Sequence, residues 1–196
     1  VDSVKCRGCG ICIPYCLLRA LDVSYNSEEQ VLSYIRGASS WSKHPKILLI
    51  ADECGGYQAA DLAGLSRFDY PPVIVTLRVP CAGRVTPEII AEAFKCGFDG
   101  VLIAAGPPEV CKYVKGAEYC RRVVELFKSE MKNVGLDASR LQLKWTVAPA
   151  AKMLASSIKE VADKLRSLRP ITVSPENLSE VARRVREKLS HQQTIK

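Results

Sequence analysis

Two short runs without a polar residue, ILLIA at 47–51 and VLIAA at 101–105, restrict the folds open to this chain. A strand that is apolar at every position has no solvent face, so it must lie in a sheet covered on both sides. VIVTLRV (73–79) and LQLKWTV (141–147) read as further strands, and helical patterns separate the four. QAADLAGLSRF forms a short helix after the first strand. Thr86 caps the next helix, with Pro87 at its first position and Gly97 at its end. Val123, Val124, Phe127 and Met131 mark the apolar face of a helix over 116–132, and further helices follow at about 149–168 and 175–189, the last opened by Ser174-Pro175-Glu176. Strand–helix alternation of this kind predicts an α/β fold with a doubly wound parallel sheet of about four strands. Its domain runs over 46–168, and a basic helical segment over 169–196 follows it.

The amino-terminal segment is different. KCRGCGICIPYC carries Cys6, Cys9, Cys12 and Cys16 at C-x2-C-x2-C-x3-C. This is the run that wraps a [4Fe–4S] cluster in ferredoxins, where the fourth cysteine ligates the cluster of a second run. The run occurs once here. Cys16 therefore either serves a cluster completed by another ferredoxin half or closes onto the same cluster as its three neighbours. Structural zinc sites instead use two pairs separated by a longer span. Gly8 and Gly10 allow the tight backbone path, while Leu17 stands where ferredoxins usually have proline. Residues 1–37 thus form a half-ferredoxin module: the cysteine run, a short strand in ALDVSY, and a helix opened by a Ser27/Gln30 capping box, carrying Val31, Leu32 and Ile35, and ended by Gly37. ASSWSKHPK (38–46) is a polar linker.

Three of the remaining cysteines fall just past consecutive strands: Cys54 after the first, Cys81 in RVPCAGRV after the second, and Cys111 in AAGPPEVCKY after the third. The carboxyl ends of parallel strands share one edge, where ligands bind. These cysteines are expected to converge there, as opposed to being unrelated buried thiols. Cys120 is the candidate fourth member, although its spacing from Val123 and Val124 also fits a core position. Cys96 reads as structural.

Composition narrows the function. Nine cysteines without a signal peptide point to metal or redox chemistry in a cytoplasmic protein more than to disulfides. No apolar run approaches the roughly 20 residues needed to cross a bilayer. The net charge is +7, and residues 152–196 hold ten Lys and Arg against five Asp and Glu. This is a solvated helical face or a surface for an acidic partner, with Arg183, Arg184 and Arg186 as its centre. No aromatic residues interleave these charges, so nucleic acid is not an expected partner. His44 and His191 lie away from the strand ends. Gly55-Gly56 lacks dinucleotide-binding spacing, and no Walker A motif exists. Asp52-Glu53, just before Cys54, reads as a solvated loop, with tuning of a cluster's potential as the alternative. Arg78 and Arg84 flank Cys81, either offsetting thiolate charge or lying on the surface.

Residues 46–168, through ADLAGLSRFDYPP, RVPCAGRV, AFKCGFDGVLIA, CKYVKGAEYCRRV and RLQLKW, resemble the iron–sulfur delta subunit of methyl-viologen-reducing hydrogenase. Residues 1–37, with CRGCGICIPYC and SEEQVLSYI, resemble the end of the A subunit of heterodisulfide reductase, including its final ferredoxin motif. Together they resemble the carboxyl-terminal part of a fusion of the two. The resemblance implies a cytoplasmic electron-transfer subunit in which a [2Fe–2S] cluster passes electrons between a hydrogenase or other dehydrogenase module and a flavin-containing subunit. It carries ligand roles to Cys81 and Cys111 directly and to Cys54 approximately. The family's C-C-N-W-C run is ADECGG here, and Gly106 stands where the family has a cysteine. The expected metal ligands are Cys6, Cys9, Cys12 and Cys16 for a [4Fe–4S] cluster, and Cys54, Cys81, Cys111 and Cys120 for a [2Fe–2S] cluster. The rival readings are an adaptor whose α/β domain has lost its cluster, and a zinc-dependent binding module.

Overall fold

The computed structural model describes residues 1–2, 4–16, 18, 20–40, 44–113 and 115–191. Four strands make one sheet: β1 (Ile47–Asp52), β2 (Ile74–Val79), β3 (Gly100–Ala105) and β4 (Leu141–Trp145). All pairs are parallel and the order is β2-β1-β3-β4. β1 and β3 are buried at every position and take the two central places, as their apolar sequences require. In register, Ile47 stands opposite both Ile74 and Gly100, and Val101 stands opposite Leu141.

Among the described residues, seven α-helices surround or precede the sheet: α1 (Cys12–Tyr15), α2 (Glu28–Ala38), α3 (Gly56–Leu65), α4 (Pro87–Lys95), α5 (Gly116–Asn133), α6 (Ala151–Arg166) and α7 (Pro175–His191). Strand side chains alternate between faces. Ile47, Leu49, Ala51, Leu102 and Ala104 pack against Ala59 of α3 and Leu154 and Ile158 of α6. Leu48, Ile50, Val101 and Ile103 face the larger core, with Ile35 of α2, Ile89 of α4, Phe127 of α5 and Val185 of α7. The sheet is doubly wound.

Local signals set the helix ends. Ser27 accepts from the Gln30 amide, and the Gln30 side chain accepts from the Ser27 amide, completing the capping box. Thr86 caps α4 with Pro87 in the first turn, and Gly97 takes φ +76° after it. α2 runs one residue past the expected stop at Gly37. Within the expected linker, residues 41–43 lie outside the described residues; so do residues 192–196 of the basic segment.

Two expectations change. The strand expected in ALDVSY does not form: residues 20–25 pair with no strand. Side chains hold the segment instead. The Tyr25 hydroxyl donates to the Gly8 carbonyl at 2.5 Å, and Asp22 accepts from the Glu28 amide at 3.0 Å. The charge of α7 is also largely matched within the chain. Leu178, Val181, Val185 and Leu189 seat this helix on the core. Arg186 then donates twice to Glu88 of α4, at 2.6 and 2.5 Å, and Lys188 donates to Glu130 of α5 at 2.5 Å. Arg184 bonds Glu180 at 2.8 Å, and Arg183 pairs with both Glu180 and Glu187. Arg186 is committed to docking α7 on its own sheet layer.

Glu130 is 2% exposed. Its hydrogen bond from Lys188 holds its carboxyl below the usual range. Stability from such a group is present above the unfolded value of 4.5 and is lost as pH falls through the lower folded value. Glu130→Gln is expected to lower stability by about 1.5–3 kcal/mol near neutral pH, since a charged hydrogen bond is lost. The gap from wild type should close as the solution is acidified below pH 4.5, read by urea denaturation across that range.

Candidate metal centres

The strand order reverses between β1 and β3, and open α/β sheets bind ligands at the carboxyl ends of the strands beside such a reversal. One carboxylate organises that edge. Asp52, the last residue of β1, is 3% exposed. Its Oδ1 accepts from the amides of Gly55 at 3.0 Å, Gly56 at 2.9 Å and Gly106 at 3.2 Å. The Ala82 amide bonds it as well. Burial pushes its pKa up, and these amides oppose the rise. The four donors come from the loop that carries Cys54, the turn that follows Cys81, and the loop that leads to Cys111. The Gly55-Gly56 pair has a packing reason: a Cβ would stand 2.1 Å from the Thr146 carbonyl at Gly55 and 2.0 Å from the Ala104 carbonyl at Gly56. Asp52 is thus a buried tie and not part of a solvated loop. Glu53 is at the surface, 2.9 Å from Arg78.

The three strand-end cysteines are near enough to feel one another's charge. Burial pushes the Cys81 thiol up to about 12; the Gly83 amide draws it back, and charge on Cys111 and Cys54 adds to the rise. Cys54 is raised by burial first and by Asp52 next. A Cβ at Gly106 would stand 3.3 Å from the Cys54 Cβ, so position 106 and Cys54 share one spot. Cys120 is fully buried in the core beside Val123 and Val124. Burial pushes its thiol up strongly, and charge on Asp52 and Cys81 adds to this. It lies on the same face of α5 as Gly116, one turn further on. At Gly116 a Cβ would meet the Cys81 Sγ at 2.4 Å. Cys96 caps the end of α4 and packs on the core, away from this edge.

In the amino-terminal loop, Gly8 and Gly10 take φ +65° and +75°, conformations that favour glycine. Backbone amides point at sulfur: Gly8 N lies 3.4 Å from Cys6 Sγ and Ala20 N lies 3.3 Å from Cys16 Sγ. Cys6 and Cys12 are exposed, and Cys9 and Cys16 are half-buried.

The structure docks this loop directly on the Cys81 turn. A Cβ at Gly83 would meet Ile11 Cγ1 at 2.8 Å, and one at Gly116 would meet Ile11 Cδ1 at 3.3 Å. Ile11 therefore fills the gap between two glycines and lies beside the Cys81 sulfur. Tyr113 feels both sets: burial raises its hydroxyl pKa, followed by charge on Cys54, Cys9 and Cys81. Arg84, in a 3-10 turn at Ala82–Arg84, is fully buried beneath Gly10. Arg78, by contrast, stacks over the Tyr57 ring at 4.8 Å on the surface. Ile11, Tyr113 and the burial of Arg84 were not visible in the sequence, because each depends on this docking. The glycines Gly10, Gly83 and Gly116 were the only local sign of it.

Every thiol here is free, and the donor sets are all sulfur with amide N–H groups aimed at several of them, which suits iron–sulfur clusters. Among the described residues, no three Cys, His, Asp or Glu side chains are gathered into a metal-holding group as they stand. His44 instead bonds Asp99 at 2.9 Å.

No helix among the described residues is long and apolar enough to cross a membrane. The chain is 35% identical over 201 residues to the A subunit of the Ferredoxin/F(420)H(2)-dependent CoB-CoM heterodisulfide reductase of Methanosarcina acetivorans, a match covering 87% of this chain and 25% of that protein. It therefore spans about a quarter of the length of that relative. It is 36% identical over 126 residues to the iron-sulfur D subunit of the F420-non-reducing hydrogenase of Archaeoglobus profundus, covering 64% of this chain and 92% of that one. The iron-sulfur D subunit of the F420-non-reducing hydrogenase vhc from Methanococcus voltae is 32% identical over 69% of this chain and 93% of its own. Residues 47–169 match the family described as methyl-viologen-reducing hydrogenase, delta subunit, and the chain belongs to that family.

Proposed function

We propose that the chain is an electron-transfer part of a multi-subunit oxidoreductase of the heterodisulfide reductase and hydrogenase kind. It relays electrons between a dehydrogenase module and a flavin-containing subunit similar to the A subunit of heterodisulfide reductase. The observation that carries this reading is the contact between the two cysteine sets through Ile11, Gly83 and Gly116. Two redox centres side by side make a wire, whereas two separate structural metal sites gain nothing from touching.

In this reading Cys6, Cys9 and Cys12 hold a [4Fe–4S] cluster, with Cys16 as its fourth ligand or as ligand to a cluster completed by another ferredoxin half. Cys54, Cys81 and Cys111 hold a [2Fe–2S] cluster, and Cys120 reaches it from behind Cys81. When bound, the clusters would supply one-electron redox chemistry at these cysteines. The chain's own residues do the rest. Asp52 sets the spacing of the three strand-end loops through its amide bonds. Gly8, Gly83 and Ala20 donate N–H groups to sulfur, which favours the anionic thiolate. Ile11 packs between Gly83 and Gly116 beside the buried Cys81. The names of the relatives, which place them among the iron-sulfur subunits of hydrogenases and the A subunits of heterodisulfide reductases, support the class of complex.

A second reading rests on the full burial of Cys120 in the apolar core. In it the α/β domain lacks its cluster and serves as an adaptor that docks two larger subunits.

Iron and acid-labile sulfide per chain, on anaerobically purified protein, separate the two. The relay predicts about six irons with two reduced-cluster EPR signals, one from each cluster type. Cys81→Ser should then lose about two irons and keep the other signal, and Cys12→Ser should do the reverse. About four irons and one signal in the wild type would establish the adaptor instead. Cys120→Ser is a near-isosteric change that removes the thiolate. The relay predicts loss of the [2Fe–2S] signal with unchanged secondary structure by circular dichroism. A retained signal would assign Cys120 to packing alone.

A further inference from the structure

Arg84 is a buried group whose position neither the fold nor the cysteine ligation explains. Its side chain is 0% exposed, and both Nε and Nη1 have no hydrogen-bond partner among the described residues. Nη2 is engaged, donating to the Asn26 carbonyl at 3.3 Å with Asp22 Oδ1 at 3.7 Å. Charge on Glu28 and Glu88 also reaches it. A guanidinium stays protonated in proteins, so this is a fixed positive charge. Burying such a charge with two unmet donors is costly unless something completes its surroundings.

The aliphatic stem of the side chain lies against the cysteine loop, and its Nη2 end reaches Asn26 and Asp22. A Cβ on Gly10 would stand 2.8 Å from Arg84 Cδ, the carbon that bears the orphaned Nε. Gly10 lies between Cys9 and Cys12. Its φ of +75° and missing side chain let the cysteine loop rest on the arginine.

We propose that Arg84 is a positioning residue that sets the reduction potential of the cluster carried by the Cys6–Cys16 loop. This rests on the electron-relay reading above. A cluster held by thiolates gains one unit of negative charge on one-electron reduction. A fixed positive charge on the side chain that passes under Gly10 favours that reduced state and raises the potential. Asp22 partly offsets the arginine, so the two residues have opposite effects on one equilibrium.

The test is an EPR-monitored redox titration of the full chain with dithionite as reductant. The variants are Arg84→Met, Arg84→Lys and Asp22→Asn. Arg84→Met is expected to shift the oxidised-to-reduced ratio of the [4Fe–4S] signal at least tenfold toward oxidised, about 59 mV downward for one electron. Arg84→Lys should recover part of that shift, and Asp22→Asn should move the potential upward. A structural role alone would not give opposite signs. Arg84→Met with full iron and an unmoved potential overturns the proposal. If Arg84→Met fails to fold, Asp22→Asn decides: an upward shift supports the assignment and no shift overturns it. An iron count on the wild type keeps the two ideas apart. A loop without a cluster defeats the relay reading, whereas a loaded loop whose potential ignores both residues defeats only the role of Arg84.

Discussion

Asp52 ends the first central strand with its carboxylate buried and amides from three loops turned onto it. A buried carboxylate is tolerated only when its oxygens are satisfied. Here the donors are the backbone of the segments that carry Cys54, Cys81 and Cys111. Electrostatic need and site geometry are therefore one constraint. The loops cannot drift apart without exposing the carboxylate or orphaning its donors. The glycines at 55 and 56 permit this closure, because neighbouring carbonyls occupy the space a side chain would take.

A second close contact builds on that frame. The turn after Cys81 presents Gly83, and α5 begins at Gly116. Ile11 of the amino-terminal loop fits between them. Arg84 lies under Gly10 of the same loop. The amino-terminal cysteine segment is thus packed on the sheet edge and not a tethered appendage. So short a segment has little core of its own, and the α/β domain supplies the surface it lacks. Charge on both Cys9 and the strand-end thiols Cys54 and Cys81 reaches Tyr113.

Much of this was legible in the sequence, and the failures share one cause. The four strands, the Ser27 capping box, the Thr86-Pro87 start and the cysteines at the strand ends all follow from local chemistry: unbroken apolar runs, caps, and the geometry of parallel sheets. ALDVSY has the alternation of a strand, but a strand needs a neighbour, and among the described residues this segment has none. Asp52-Glu53 looks like a solvated acidic pair until amides from distant loops are brought to the first of them. Arg84 reads equally as a charge beside Cys81 or as a surface cation, and only the cysteine loop over it decides that it is buried. Arg186 looks like part of a free basic face until Glu88 meets it. In each case the deciding partner lies far away in the chain.

The central claim is that the two cysteine sets carry redox centres held side by side. The most direct measurement is the EPR spectrum of the fully reduced chain, compared with those of Cys81→Ser and Cys12→Ser, which would each isolate one centre. The account predicts that the wild-type spectrum is broadened and split by magnetic coupling between the two spins, and that neither single-centre spectrum shows it. A wild-type spectrum equal to the sum of two unperturbed single-centre spectra would contradict it.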